Sequence, residues 1–265
     1  MSSHEIDYKI YGDDIQFVEI ELDPSETVIA EAGSMMTMTQ NIQMETIFGD
    51  GSGKGGNSFM DKLFGAGKRV LTGESLFMTA FTNSGLIKEQ ACFAAPYPGK
   101  IIPMDLSKMG GKIICQKDSF LCAAKGVSVG IDFKRKLGVG FFGGEGFILQ
   151  KLEGDGLAFV HACGSILKKD LRAGEVLKVD TGCLVAMTRD VNYDIQFVGG
   201  IKNAVFGGEG VFFATVSGPG TIWIQSLPFS RLADKIISSS PRIGGSSKGE
   251  GSMLGMFSNL LDGDN

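Results

Sequence analysis

Three carboxylates sit in closely similar surroundings along the chain. Glu145 lies in Phe142-Gly143-Gly144-Glu145-Gly146, Glu209 in Phe206-Gly207-Gly208-Glu209-Gly210, and Glu74 in Thr72-Gly73-Glu74-Ser75. A carboxylate flanked by glycines can accept hydrogen bonds from exposed turn N–H groups and lock the turn. Three equivalent carboxylates around a pseudo-threefold axis could instead bind a cation. The turn-locking role is preferred, because glycine turns expose donors that need such an acceptor.

Other chemistry is thinly represented. The two histidines are His4, near the start, and His161, in Phe159-Val160-His161-Ala162. A cupin-type metal site needs several histidines and a carboxylate, which one chain with two histidines does not supply. His161 is therefore read as a strand histidine with its hydrogen bonds met. The run Gly49-Asp50-Gly51-Ser52-Gly53-Lys54-Gly55 is no phosphate loop. That motif needs a glycine where Phe48 stands and Ser or Thr where Gly55 stands. No nucleophile-elbow serine comes with an acid and a base to match it. The expectation is no enzyme, no cofactor and no metal.

The five cysteines are Cys92, Cys115, Cys122, Cys163 and Cys183. Their number is odd, none is spaced C-x-x-C, and apolar residues flank them. They read as small buried hydrophobes in a reducing compartment. The formal charge of −5 argues against nucleic acid as a partner. The one dense basic run, Lys134-Arg135-Lys136, reads as a solvated turn. The start, Met1-Ser2-Ser3-His4-Glu5, has no basic flank or apolar core of a signal peptide. No apolar run approaches the roughly 20 residues that span a bilayer. A soluble, cytoplasmic protein is expected.

The elements that position these residues follow from a repeat. The chain holds 39 glycines, about twice the usual share, which implies many tight turns and short strands. The Gly-Glu motif recurs at an offset of 64 residues from Glu145 to Glu209 and 71 from Glu74 to Glu145. Upstream of each lies a matched stretch: Val28 to Met44, Phe120 to Phe133 and Leu184 to Phe197. Their ends, Asn41-Ile42-Gln43-Met44, Gly130-Ile131-Asp132-Phe133 and Asp194-Ile195-Gln196-Phe197, alternate as half-buried strands do. Gly154-Asp155-Gly156 and Gly218-Pro219-Gly220 supply hairpin turns.

The fold class expected is all-β, an internally repeated β-sandwich or double-stranded β-helix with very little helix. The first unit covers 1–100 with a glycine-rich insertion at 49–67, the second 101–167 and the third 168–237. Phe229, Leu232, Ala233, Ile236 and Ile237 mark an amphipathic helix over 229–237, with Ser230 as its N-cap. Residues 238–265 form a flexible tail. Within it Met253, Leu254, Met256, Phe257, Leu260 and Leu261 would line one face of a helix. That face could dock on a partner, a neighbouring subunit or a membrane surface.

Taken together, Ile29-Ala30-Glu31-Ala32-Gly33-Ser34-Met35, Leu71-Thr72-Gly73-Glu74-Ser75-Leu76-Phe77, the two Gly-Gly-Glu-Gly motifs and Val179-Asp180-Thr181-Gly182-Cys183-Leu184-Val185-Ala186 resemble a known family. It is the altered-inheritance-of-mitochondria, or mitochondrial biogenesis, family in its bacterial branch. The resemblance runs from about Phe17 to Leu227. It implies a fold like the tryptophan-RNA-binding attenuator protein, repeated along the chain, and a homotrimer. It implies no activity. The mitochondrial members are associated with inner-membrane organisation, but no mitochondrial presequence is visible here. The leading expectation is a non-enzymatic homo-oligomeric scaffold or interaction protein. The alternatives are a small-ligand or RNA-binding module and tail-mediated association with a membrane surface.

Overall fold

Alternating apolar residues and frequent glycines produce short strands joined by tight turns. The computed structural model describes residues 2–48, 77–135, 147–197 and 212–239. The first strands are β1 (Asp7–Tyr11), β2 (Phe17–Leu22), β3 (Thr27–Glu31), β4 (Met35–Met38), β5 (Ile42–Phe48), β6 (Phe77–Asn83) and β7 (Glu89–Ala94). A second set follows: β8 (Gly99–Asp105), β9 (Lys112–Gln116), β10 (Phe120–Ala124), β11 (Ser128–Arg135), β12 (Phe147–Glu153) and β13 (Leu157–Cys163). The last set is β14 (Ile166–Leu171), β15 (Val176–Asp180), β16 (Leu184–Thr188), β17 (Asn192–Phe197), β18 (Phe212–Ser217) and β19 (Gly220–Gln225). Helix α1 (Phe229–Ser239) closes the described chain. The protein is thus nearly all β, as its sequence leads one to expect.

The described strands form four antiparallel sheets, in the orders β1-β2-β7-β4, β5-β6-β3-β10-β13-β8, β11-β12-β9-β16-β19-β14 and β15-β18-β17. Similar pairings are made in each strand set. β3, β9 and β15 pair with β6, β12 and β18. β4, β10 and β16 pair with β7, β13 and β19, each with one residue skipped in the register. Between sets, β3 pairs with β10 and β9 with β16.

Three cores result. In the first, Ile20, Phe81 and Phe93 pack with Leu121, Cys122 and Phe159 from the second strand set. In the middle one, Ile113, Phe120 and Val160 pack with Val185, Ala186 and Trp223 from the third. The last is built around Ile114, Phe147, Leu149, Leu184 and Met187. Gly220 in the last hairpin has φ +142, and a Cβ there would lie 2.6 Å from Val191 Cγ2. The turn therefore needs glycine for both conformation and space.

Four local readings change. Sequence matching aligns Ile42 with Ile131 and Ile195. The hairpin registers instead put Thr46 there, since Thr46, Ile131 and Ile195 oppose Thr79, Gln150 and Ala214. A slip by an even number of residues keeps every side chain on its face, so alternation alone does not detect it. The same registers begin the first matched stretch at Met35, opposite Phe93, rather than at Val28. Lys134 and Arg135 are no turn: β11 continues through them, opposite Ile148 and Phe147. Ser230 lies inside α1, and the Pro228 carbonyl accepts the first N–H groups, from Arg231 at 3.0 Å and Leu232 at 3.3 Å.

Phe159 is fully buried and meets Tyr8 edge-on at 4.9 Å. Phe159→Ala is expected to lower unfolding free energy by about 3–5 kcal/mol. Chemical denaturation measures this, and a loss below about 1 kcal/mol would contradict the assigned core.

Candidate functional site

The groups with most to offer lie at sheet edges, so the site is built from them. In β10 every residue is buried, and in β16 all but the last. Each strand has a neighbour on both sides and cores on both faces. β4 makes the same skipped pairing, with β7, but among the described residues it ends its sheet. Its Met36 and Met38 are 45% and 41% exposed, and Met44 on β5 is 52% exposed. Their register counterparts Leu121, Ala123 and Val129 are buried. At the other end of the chain β15 also ends its sheet, with Val176 59% exposed and Lys178 exposed. These edges offer backbone donors and acceptors beside apolar side chains, a surface suited to another strand.

A second cluster surrounds His161. β13 places it opposite Ile101, where it is buried. Its Nδ1 has no hydrogen-bond partner, so the expected satisfied histidine is corrected: the ring is held by packing. Tyr97 meets it edge-on at 4.8 Å and stacks on Phe229 of α1 at 5.2 Å. The Tyr97 hydroxyl donates to the Asp118 carbonyl at 3.2 Å. Burial pushes His161 down to about 4 and pushes Tyr97 above its ordinary range. At neutral pH both rings are uncharged, which suits packing better than proton transfer.

A third place is a cleft of about 550 Å³ between the first residues and the second strand set, lined by Ser3, His4, Asp105, Lys108 and Asp155. The polar groups here largely satisfy one another. Ser3 N donates to Asp155 at 2.7 Å, and Lys108 pairs with Asp105 at 2.6 Å. His4 is tied down as well. Its N donates to Lys125 O at 2.9 Å and its Nδ1 accepts from Thr27 N at 2.9 Å. Burial, then the nearby Lys125, lowers its pKa. Of the charged residues lining the cleft, Asp105, Lys108 and Asp155 are thus engaged with protein groups.

Glu74, Glu145 and Glu209 lie outside the described residues, as do the insertion at 49–67 and the tail residues Met253, Leu254, Met256, Phe257, Leu260 and Leu261. Among the described residues no group of three His, Cys, Asp or Glu is placed to hold a metal. Sequence reasoning missed the methionine edge. Its signal is a comparison the register makes possible: Met36 stands where Leu121 and Val185 are buried.

The depressed His161 pKa has a consequence for stability. The folded state keeps the ring neutral down to about pH 4, whereas the unfolded chain protonates near 6.5. Unfolding therefore takes up a proton in that window, and stability falls as pH drops from 6.5 to about 4. The full effect is roughly 3 kcal/mol. His161→Gln should flatten the stability–pH curve there relative to the parent. Parallel curves in urea titrations would contradict the assignment.

Comparison with known proteins adds the following. Residues 8–227 match the family model described as Mitochondrial biogenesis AIM24. An uncharacterized protein of Streptococcus pyogenes serotype M6 is 33% identical over 219 residues, spanning 82% of this chain and 83% of that protein. The crystal structure of another Streptococcus pyogenes protein superposes with a TM-score of 0.69 at 26% identity, covering 88% of this chain and 99% of its own.

Proposed function

The chain belongs to the mitochondrial biogenesis AIM24 family, and on that premise we propose that it is a non-enzymatic homo-oligomeric scaffold built from three equivalent β units. The oligomer is a homotrimer. The observation that carries this reading is the pair of sheet edges, β4 and β15, that no strand among the described residues covers, β4 lying beside exposed methionines. Open edges with apolar flanks are aggregation hazards unless something covers them. Methionine suits such a surface, because its unbranched side chain adapts to a partner.

Chemistry gives the enzyme reading little support. Asp105, Lys108 and Asp155 of the cleft are paired, and His161 is packed among rings. The five cysteines carry no disulfide, which supports a reducing, cytoplasmic setting. No helix among the described residues is long and apolar enough to cross a membrane. A net charge of −5 weighs against RNA as the partner.

Native mass spectrometry of freshly purified protein tests the reading. The expected mass is three times the 28.2 kDa chain. A monomer at micromolar concentration would contradict it. A retained small ligand or nucleic acid in the same spectrum would favour a binding module instead.

A further inference from the structure

We propose that residues 2–6 form a pH-sensitive strap across the first junction between strand sets, latched by His4 and released when that ring takes up a proton. The device operates within one chain and does not depend on the oligomeric reading above.

The latch stands inside a strand ladder. The pairing of β3 with β10 runs from Ala30 opposite Cys122 to Val28 opposite Ala124, so Thr27 and Lys125 come next. In an ordinary antiparallel ladder, residues at such a position exchange both of their backbone bonds. Here one of the two is direct, from Lys125 N to Thr27 O at 3.0 Å. His4 is inserted into the other. Its Nδ1 accepts from Thr27 N at 2.9 Å, and its own N donates to Lys125 O at 2.9 Å. Thr27 is buried, so its N–H needs an acceptor. The imidazole supplies it.

The seat fits the strap. Ser3 N donates to Asp155 Oδ1 at 2.7 Å in the turn between β12 and β13, and Ile6 is buried in the first core. A Cβ on Gly126 would lie 2.7 Å from Ser3 Cα, and one on Gly156 would lie 2.5 Å from Ser3 Cβ. Glycine at both positions keeps the seat open. The strap is also one wall of the cleft of about 550 Å³, facing Asp105, Ser107 and Lys108. Its release opens that cleft on one side and frees Thr27 N and Lys125 O for each other or for water.

Protonation acts on the latch directly. An imidazole accepts at Nδ1 only while that nitrogen carries no proton. Burial and the nearby Lys125 oppose the charged ring, and Glu26 favours it. The other ionisable groups around the cleft are Glu5 on the strap, Tyr8 on β1, Asp155 on the turn and the paired Asp105 and Lys108. The latched ring therefore titrates below 6.5, the value expected of a released one. Release takes up a proton. The open fraction rises as pH falls below 6.5, by up to about tenfold per pH unit until the latched pKa is reached. The second junction is closed differently. Its ladder ends with Ile113 opposite Thr188, and beyond it Arg189 Nη1 donates to Gly110 O at 3.0 Å. A guanidinium keeps that bond at any physiological pH.

Hydrogen exchange read by mass spectrometry tests this, with protection expressed relative to a free peptide at the same pH. In the parent, peptides carrying His4 and Thr27 should lose protection by up to about tenfold between about pH 7.5 and about pH 5.5. Peptides from β13 should keep theirs. His4→Asn offers a non-titrating acceptor and should hold the strap at both values. His4→Ala removes the acceptor and should leave the strap unprotected at both. Circular dichroism checks the fold of each variant; if His4→Ala does not fold, the parent and His4→Asn decide. Equal protection of the parent at the two pH values would overturn the proposal. So would a pH response that persists in a variant, or a matching loss in β13, which would mark general destabilisation through His161. A His4→Asn strap that is open at both values would still assign the response to His4.

Discussion

Backbone hydrogen bonding across two strand pairs, β3 with β10 and β9 with β16, holds the architecture together. β10 lies between two cores. Its Leu121 and Cys122 face the first, and its Phe120 and Ala123 face the second. A strand buried on both faces has no water to satisfy its N–H and C=O groups, so each edge must meet another strand. β13 supplies one side and β3 the other. β16 stands the same way between β19 and β9. Small residues help: Cys122, Ala123, Ala124 and Ala186 at the junctions let layers approach closely.

The skipped residue in each of these strands follows from the same need. A bulge adds one residue on one strand, bends it and re-aims a side chain. At Leu121 and Val185 the extra side chain is carried into the core of the preceding strand set. Each core is thus completed by a neighbour. Trp223 and Val185 complete the middle core as Phe159 and Leu121 complete the first. The last core receives no such visitors among the described residues, while its own strands Val179, Leu184 and Ile222 still pack together. Among the described residues one core is left without such a visitor, and one bulge residue, Met36, stays half-exposed.

How much of this was legible depended on the length scale of the signal. Short strands, glycine turns and scarce helix were readable because period-two alternation and glycine reflect local backbone geometry. Register was not, since an even slip leaves alternation intact, and the first matched stretch was misplaced from Thr46 to Ile42. Burial at an edge was less legible still. Met36, Leu121 and Val185 are all unremarkable apolar residues in sequence; which strand lies beside them decides whether each is covered. The helix was placed correctly at its first residue, Phe229, but its cap was not. Ser230 has the right chemistry, yet the Pro228 carbonyl already takes the first N–H groups. The carboxylates that drew attention first, Glu74, Glu145 and Glu209, fall outside the described residues.

The buried polar side chains show what this interior is built for. Gln225 accepts from Cys163 N at 2.8 Å and donates to Gly182 O at 2.7 Å, tying β13 to the turn before β16. Asn83 donates to Leu22 O and Ile87 O and accepts from Gly85 N. Both use their side-chain amides on backbone groups that strand pairing leaves over. His161 occupies on β13 the place that Gln225 occupies on β19, 64 residues later. It lacks the reach to make both bonds, and Tyr97 and Phe229 close over it instead. One position thus alternates between a hydrogen-bonded amide and a packed ring while the strands around it persist. That tolerance fits a part in holding strands together.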